Sequence, residues 1–439
     1  MSFVPQSPYR VEQPDWSKNA VIYQINTRQF SEGGNFEGIL PQLSRLRELG
    51  VDILWLMPIH PIGHKYRKGP LGSPYAVKDY YGINSEFGTS EDFRTLINAI
   101  HALGMRVILD WVPNHSAWDN DLVTRHPDWY AKDYKGDFRP CPWWDWEDII
   151  EFDYNHQDMR TYMAEAMAYW VREYDIDGFR CDVAGYIPND FWHQVSLTLS
   201  QVKPVFMLAE WENRDLHEQA FNMTYAWSWH EALWNLAQGK GSLDKVRKYY
   251  AWNERAWPKS AYRMTFVSNH DENAWDGTQH EKFGKLLAPC IALSVLGEGM
   301  PLIYNGQEAG ESKRLAFFDR DPIEWQSHWV GELYRCLIRL KKAIPALWNG
   351  EFGATMIQVP NSQQTDVLSF VREQDGHKVF VVLNFSHGDI TATFNDNLFH
   401  GDYVDPFSDE SVTCDGATEI TLKPGGFRVL VQGACPSVG

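Results

Sequence analysis

The stretch Gly178-Phe179-Arg180-Cys181-Asp182-Val183 decides how this 439-residue chain is read. It is a short run of strand-forming residues carrying an arginine and an aspartate two positions apart. Along a strand, residues i and i+2 project to the same side, which makes Arg180 and Asp182 neighbours. A guanidinium that close favours the ionised carboxylate and orients it, the condition an acidic nucleophile needs. A structural ion pair at the end of a buried strand would use the same two residues, so the flanking sequence has to decide.

On both sides, apolar strand-like runs alternate with amphipathic helical ones between Ala20 and about Ile344. Before the stretch, strands are expected at 21–30, 51–59 and 106–112; with 178–183 and the later runs 205–211, 223–227, 263–269 and 300–305 they make eight. Helices are expected at 36–49, 90–103, 157–174, 189–199, 243–252, 280–296 and 330–343. Eight strands with intervening helices predict an α/β fold, a closed (β/α)8 TIM barrel, with a doubly wound open sheet as the competitor. More than forty residues, rich in Trp, Asp and Pro, separate the third strand from the helix at Gln157. A connection that long is expected to be an inserted subdomain. Beyond Pro345 the helical period stops, and short alternating runs at 367–372, 378–384, 389–394, 419–422 and 428–432 predict a C-terminal antiparallel β-sandwich. The expected division is a barrel over 1–112 and 157–345, an insert over 113–156 and the sandwich over 346–439.

A net charge of −18 without a Lys/Arg block argues against nucleic acid or an anionic membrane as partner. No apolar run is long enough to span a bilayer. The first residues, Met1-Ser2-Phe3-Val4-Pro5-Gln6, lack the basic-then-apolar pattern of a secretion leader, and six scattered cysteines suit free thiols in a reducing compartment; a cytoplasmic location is expected. Aromatic residues make up 14% of the chain, and broad aromatic faces in polar loops are a means of stacking on sugar rings.

Four acids fall at or just past the carboxyl ends of expected strands: Asp110, Asp182, Glu210 and Asp271. That is the face on which barrel enzymes build their sites. Converging carboxylates raise one another's pKa values, so that one serves as acid and another as base or nucleophile, the equipment of glycoside hydrolysis. The segments Asp110-Trp111-Val112-Pro113-Asn114-His115, Gly178-Phe179-Arg180-Cys181-Asp182, Ala209-Glu210 and Ser268-Asn269-His270-Asp271 resemble, in order and spacing, the four signature regions of the α-amylase family (glycoside hydrolase family 13). The resemblance covers nearly the whole chain.

The resemblance implies a nucleophile at Asp182, kept ionised by Arg180, and a general acid/base at Glu210. It implies that Asp271 binds the sugar's 2- and 3-hydroxyls, that His115 and His270 hold the sugar at the cleavage site, and that Asp110 supports the site through Arg180. Ser73-Pro74-Tyr75 resembles the segment after the family's second strand, which implies that Tyr75 stacks on the sugar whose bond is cut. Trp143, Trp144 and Trp146 either extend that platform or pack the insert, and Trp211, Trp229 and Trp275 are rim candidates.

The chain departs from the family where endo-acting members carry Lys-His three and four positions after the nucleophile; here Gly185 and Tyr186 stand there. Neither a metal nor another cofactor is required by the chemistry, and calcium is weakly supported, by Asn114 alone. The resemblance implies a retaining α-glucan hydrolase acting on α-1,4-linked malto-oligosaccharides or starch fragments. An α-glucosidase or 4-α-glucanotransferase, with or without α-1,6 activity, is the alternative, and a non-catalytic carbohydrate-binding member a distant one. The sequence does not give the oligomeric state.

Overall fold

The computed structural model describes residues 9–141 and 143–438. The barrel starts with β1 (Ile22–Ile25), β2 (Ile53–Leu56) and β3 (Arg106–Trp111). The excursion after β3 contains an antiparallel ribbon of β4 (His115–Ala117) and β5 (Ile149–Glu151). The barrel resumes with β6 (Gly178–Cys181), β7 (Phe206–Ala209), β8 (Met223–Tyr225), β9 (Tyr262–Phe266) and β10 (Met300–Tyr304). All eight barrel strands are parallel, and β10 pairs with β1 to close the cylinder, which removes the open-sheet alternative.

Alternation along each strand makes two cores. Ile22, Ile53, Trp55, Ile108, Phe206, Leu208, Met264 and Leu302 fill the interior. Their strand neighbours, among them Tyr23, Leu54, Val107, Phe179, Met207 and Ile303, face the surrounding helices. Gly178 permits the tightest interstrand approach, because a Cβ there would lie 1.8 Å from the Phe206 carbonyl oxygen.

Several expected elements are shorter than their apolar runs. The first strand ends at Ile25, and Thr27–Phe30 is a helical turn. The helix expected over 36–49 is broken at Leu40–Gln42 into a tighter turn, where Pro41 supplies no backbone N–H. That over 280–296 is interrupted at Gly284, which has φ +50°. The helix Trp227–Ala237 lies outside the expected set.

The C-terminal strands are β11 (Ile357–Gln358), β12 (Val367–Gln374), β13 (His377–Asn384), β14 (Ile390–Thr393), β15 (Gly401–Asp405), β16 (Glu410–Cys414), β17 (Glu419–Leu422) and β18 (Phe427–Gln432). Six form one antiparallel sheet ordered β11-β12-β13-β18-β15-β16, and β14 pairs with β17. β11, β15 and β16 were not expected; β11 is two residues long, and β16 is mostly solvent-facing and offers little apolar alternation. Leu368, Phe370, Val379 and Val381 share a core with the barrel helices, and Phe380, Val382 and Leu430 pack with Ala392 and Ile420 on the other face.

Arg372 on β12 fastens this sheet to the barrel. It is 1% exposed and donates to the carbonyls of Leu296 (3.1 Å), Gly297 (2.7 Å), Trp348 (3.0 Å) and Ala354 (3.0 Å). The first two lie at the end of the helix Leu287–Leu296, whose dipole favours a cation there. Lys341, also buried, reaches the Leu347 carbonyl at 2.7 Å. All six cysteines are free thiols, five of them buried. No helix among the described residues is long and apolar enough to cross a membrane.

Candidate active site

The four acids meet at one end of the barrel around a single guanidinium. Arg180, fully buried, extends Nη1 to Asp110 Oδ1 (2.8 Å) and Asp182 Oδ1 (2.9 Å), and its Nη2 lies 2.8 Å from Glu210 Oε1. Its Nε donates to the Tyr225 hydroxyl at 3.2 Å, and the Trp55 ring lies 5.0 Å from the guanidinium carbon. Asp110 is sealed in the barrel mouth by two further donors, Trp55 Nε1 at 3.0 Å and the Tyr75 hydroxyl at 2.9 Å.

That hydroxyl fixes the protonation of His270. Tyr75 donates to Asp110, so the 2.8 Å contact with His270 Nε2 requires the imidazole to donate there. Gln24 Nε2, 2.7 Å from Nδ1, then supplies the ring's other partner. The imidazole is neutral, in keeping with burial and the Arg180 charge, which push its pKa well down. His115 is likewise pushed down, to about 4, by burial.

Backbone geometry aims the remaining carboxylates. Asp182 follows β6 directly and its N–H donates to the Trp111 carbonyl at 2.8 Å. Val183 then adopts φ +38°, a strained conformation for a β-branched residue, and its N–H donates to Glu210 Oε2 at 2.7 Å. Burial pushes Asp182, Glu210 and Asp271 each up to about 7 and Asp110 up to about 6, with Arg180 opposing the rise in every case. The cation therefore offsets desolvation without cancelling it: one positive charge serves four acids, and protons are shared among them near neutrality.

Asp182, Glu210, Asp271 and His270 line a cavity of about 460 Å³ together with Tyr75, His115, Trp144, Trp146 and Trp275, with Asp110 and Arg180 outside its lining. Buried, pKa-shifted acids in a concave aromatic site are the mark of a catalytic centre. A model of the α-amylase catalytic domain matches residues 14–329, and one of the α-amylase C-terminal all-β domain matches 359–433. The chain belongs to the α-amylase family. A crystal structure of a maltogenic α-amylase from Thermotoga neapolitana is 31% identical, with a TM-score of 0.86, over 95% of this chain and all of that one. An α-amylase from Lactobacillus plantarum is 29% identical at a TM-score of 0.85, with the same coverage. An α-amylase from Haloarcula japonica is 28% identical over 96% of this chain, which spans 64% of that protein's length.

Not every residue singled out in this α-amylase-family sequence reaches the cavity. Trp211 is not among its lining residues and packs on Tyr186 with ring centroids 5.1 Å apart. A Cβ at Gly185 would meet the Trp211 indole at 2.2 Å, so the indole fills the space that the family's lysine would need. Trp229 is a fully buried core residue bonded to the Tyr250 hydroxyl, not a rim residue. Trp143 is 89% exposed and does not line the cavity. Lys68, Ser73, Asp145, Asp148, Phe317 and Phe318 line it and were not foreseen. Only the adjacent Phe317-Phe318 pair in an otherwise polar loop offered a signal.

Around Asn114 the described side chains pair with one another. The Asn114 side chain donates to His115 Nδ1 at 3.1 Å, and in the same hollow Glu151 is already neutralised by Arg139 at 3.0 Å. Among the described residues no group of three or more His, Cys, Asp or Glu side chains is placed to hold a metal ion.

Proposed function

We propose that this chain hydrolyses α-1,4 links in malto-oligosaccharides and starch fragments with net retention. In the first displacement an Asp182 oxygen attacks the anomeric carbon, the bond to the leaving oxygen breaks, and Glu210 gives that oxygen its proton. In the second, water attacks the same carbon, its proton passes to Glu210, and the ester to Asp182 breaks. Tyr75 stacks on the reacting ring, neutral His115 bonds its hydroxyls, His270 holds the Tyr75 hydroxyl in place, and Asp271 binds the 2- and 3-hydroxyls more strongly as charge develops on the ring.

The observation that carries this reading is that Asp182 and Glu210 rest on the two terminal nitrogens of the same guanidinium. Such a bridge suits the close pairing of retaining enzymes (about 5–5.5 Å) better than the roughly 6.5–9.5 Å that admits a water between the carboxyls. The names of the relatives, α-amylases and cyclomaltodextrinases, agree with the substrate class. Proton NMR of the first products from maltoheptaose should show the α-anomer. Asp182→Asn and Glu210→Gln should each lower kcat by about 10³-fold or more; near-native turnover by either, or a β-anomeric product, would refute the assignment.

A further inference from the structure

The cavity is bounded by a nearly continuous circuit of contacts between loops. The insert meets the loop after β2 where Lys68 Nζ bonds the Asp145 carbonyl and lies 3.2 Å from its carboxylate. That loop meets the one after β10 where the Leu71 N–H donates to the Phe318 carbonyl at 3.0 Å. Trp275, after β9, closes on Phe317 and Phe318 with ring centroids 5.3 and 5.9 Å apart. On the opposite flank, Trp144 Nε1 donates to the Tyr186 hydroxyl at 3.1 Å, joining the insert to the turn after β6. Arg28, 1% exposed, braces the wall from beneath by donating to the Gly72 carbonyl (2.9 Å) and the Phe317 carbonyl (3.3 Å).

With Tyr75 as the platform of the reacting sugar, as proposed above, the wall formed by Lys68, Phe317 and Phe318 stands beside that sugar. Tyr75, His270 and Phe317 are near-parallel, with Tyr75 5.4 Å from His270 and 6.2 Å from Phe317, so the obstruction begins one ring away from the platform for the reacting sugar. On the mechanism proposed above, the leaving portion departs past Glu210, the group that protonates its oxygen, which lies in the same cavity. On the function proposed above, on which this inference rests, we infer that the site is a dead-end pocket. It takes an α-glucan by its non-reducing end and releases a short sugar of one fixed length, and it does not cut within a chain.

The test uses maltoheptaose tagged with a fluorophore at its reducing end, with the non-reducing terminal glucose either free or capped by an ethylidene bridge across O4 and O6. The free substrate should yield one short untagged sugar from the earliest time points. The capped one should be cut at least ~100-fold more slowly, as a built steric clash provides. Comparable rates, with mid-length tagged fragments appearing first, would overturn the inference and leave the hydrolytic function standing. Failure to cut either substrate would instead overturn the function itself. Lys68→Ala, at a partly exposed position, should raise the capped-to-free rate ratio severalfold by loosening the wall; an unchanged ratio would remove the Lys68–Asp145 bridge from it.

Discussion

Arg180 touches three carboxylates and cannot neutralise them all, and this imbalance has a sign. Asp182 and Glu210 have folded pKa values raised to about 7, above their unfolded values. The native state therefore binds more protons than the unfolded chain between roughly pH 4 and 7, and the site's contribution to stability falls as pH rises through that window. Asp182→Asn and Glu210→Gln should thus raise stability at pH 8 by on the order of 1–2 kcal/mol, with a higher melting temperature there, and change it little at pH 4. Scans at the two pH values check it, and equal shifts at both would refute it. The same coupling predicts a bell-shaped profile of kcat/KM with its maximum near neutrality. Activity is lost on the acid side as the nucleophile takes up a proton and on the alkaline side as the acid gives its proton up. The pairing of Arg180 with Asp182 was legible because a two-residue period is a local rule. The bonds from Asp110 to Trp55 and Tyr75 were not, since nothing in their spacing says that strands β2 and β3 and the loop after β2 converge.

Between β6 and the next helix, the turn Ala184–Tyr186 shows how two elements divide one space. Gly185 has no side chain, and Trp211 at the end of β7 occupies the position one would take. Gly185→Ala should cost about 1–3 kcal/mol by overpacking, and Trp211→Ala in the same chain should recover most of that loss. Denaturant melts of the two single variants and the double variant measure the coupling; additive costs would refute it. The absence of a lysine at 185 could be read from the sequence, but its replacement by an indole from the neighbouring strand could not. Pro41 and Gly284 are the converse case. Each is a local breaker that the hydrophobic period overrode, and each divides its helix where elementary backbone chemistry says it should. The wall around the cavity lay beyond sequence reading for a third reason. Its bonds, from Lys68 to Asp145 and from Leu71 to Phe318, join loops whose meeting depends on the closed barrel beneath them.

Across the whole molecule, the C-terminal sheet is held by more than apolar contact. Every hydrogen bond of the Arg372 guanidinium goes to a backbone carbonyl of the barrel or its exit turn, and burial lowers its pKa to about 10 without discharging it near neutrality. Arg372→Met should strand those acceptors and cost about 3 kcal/mol or more, with Arg372→Lys a poor substitute because an ammonium lacks the planar fork. Calorimetry should show the wild-type barrel and sheet melting in one transition and the Met variant melting earlier; an unchanged melting temperature would refute the role. A small chemical event gives this junction a signature of its own. Amide hydrogens in the last turn of Leu287–Leu296 and in the centre of β12 lie far apart in the chain but depend on one cation, so they should trade for deuterium at a common pace, governed by the opening of the whole chain and not by fraying at either site.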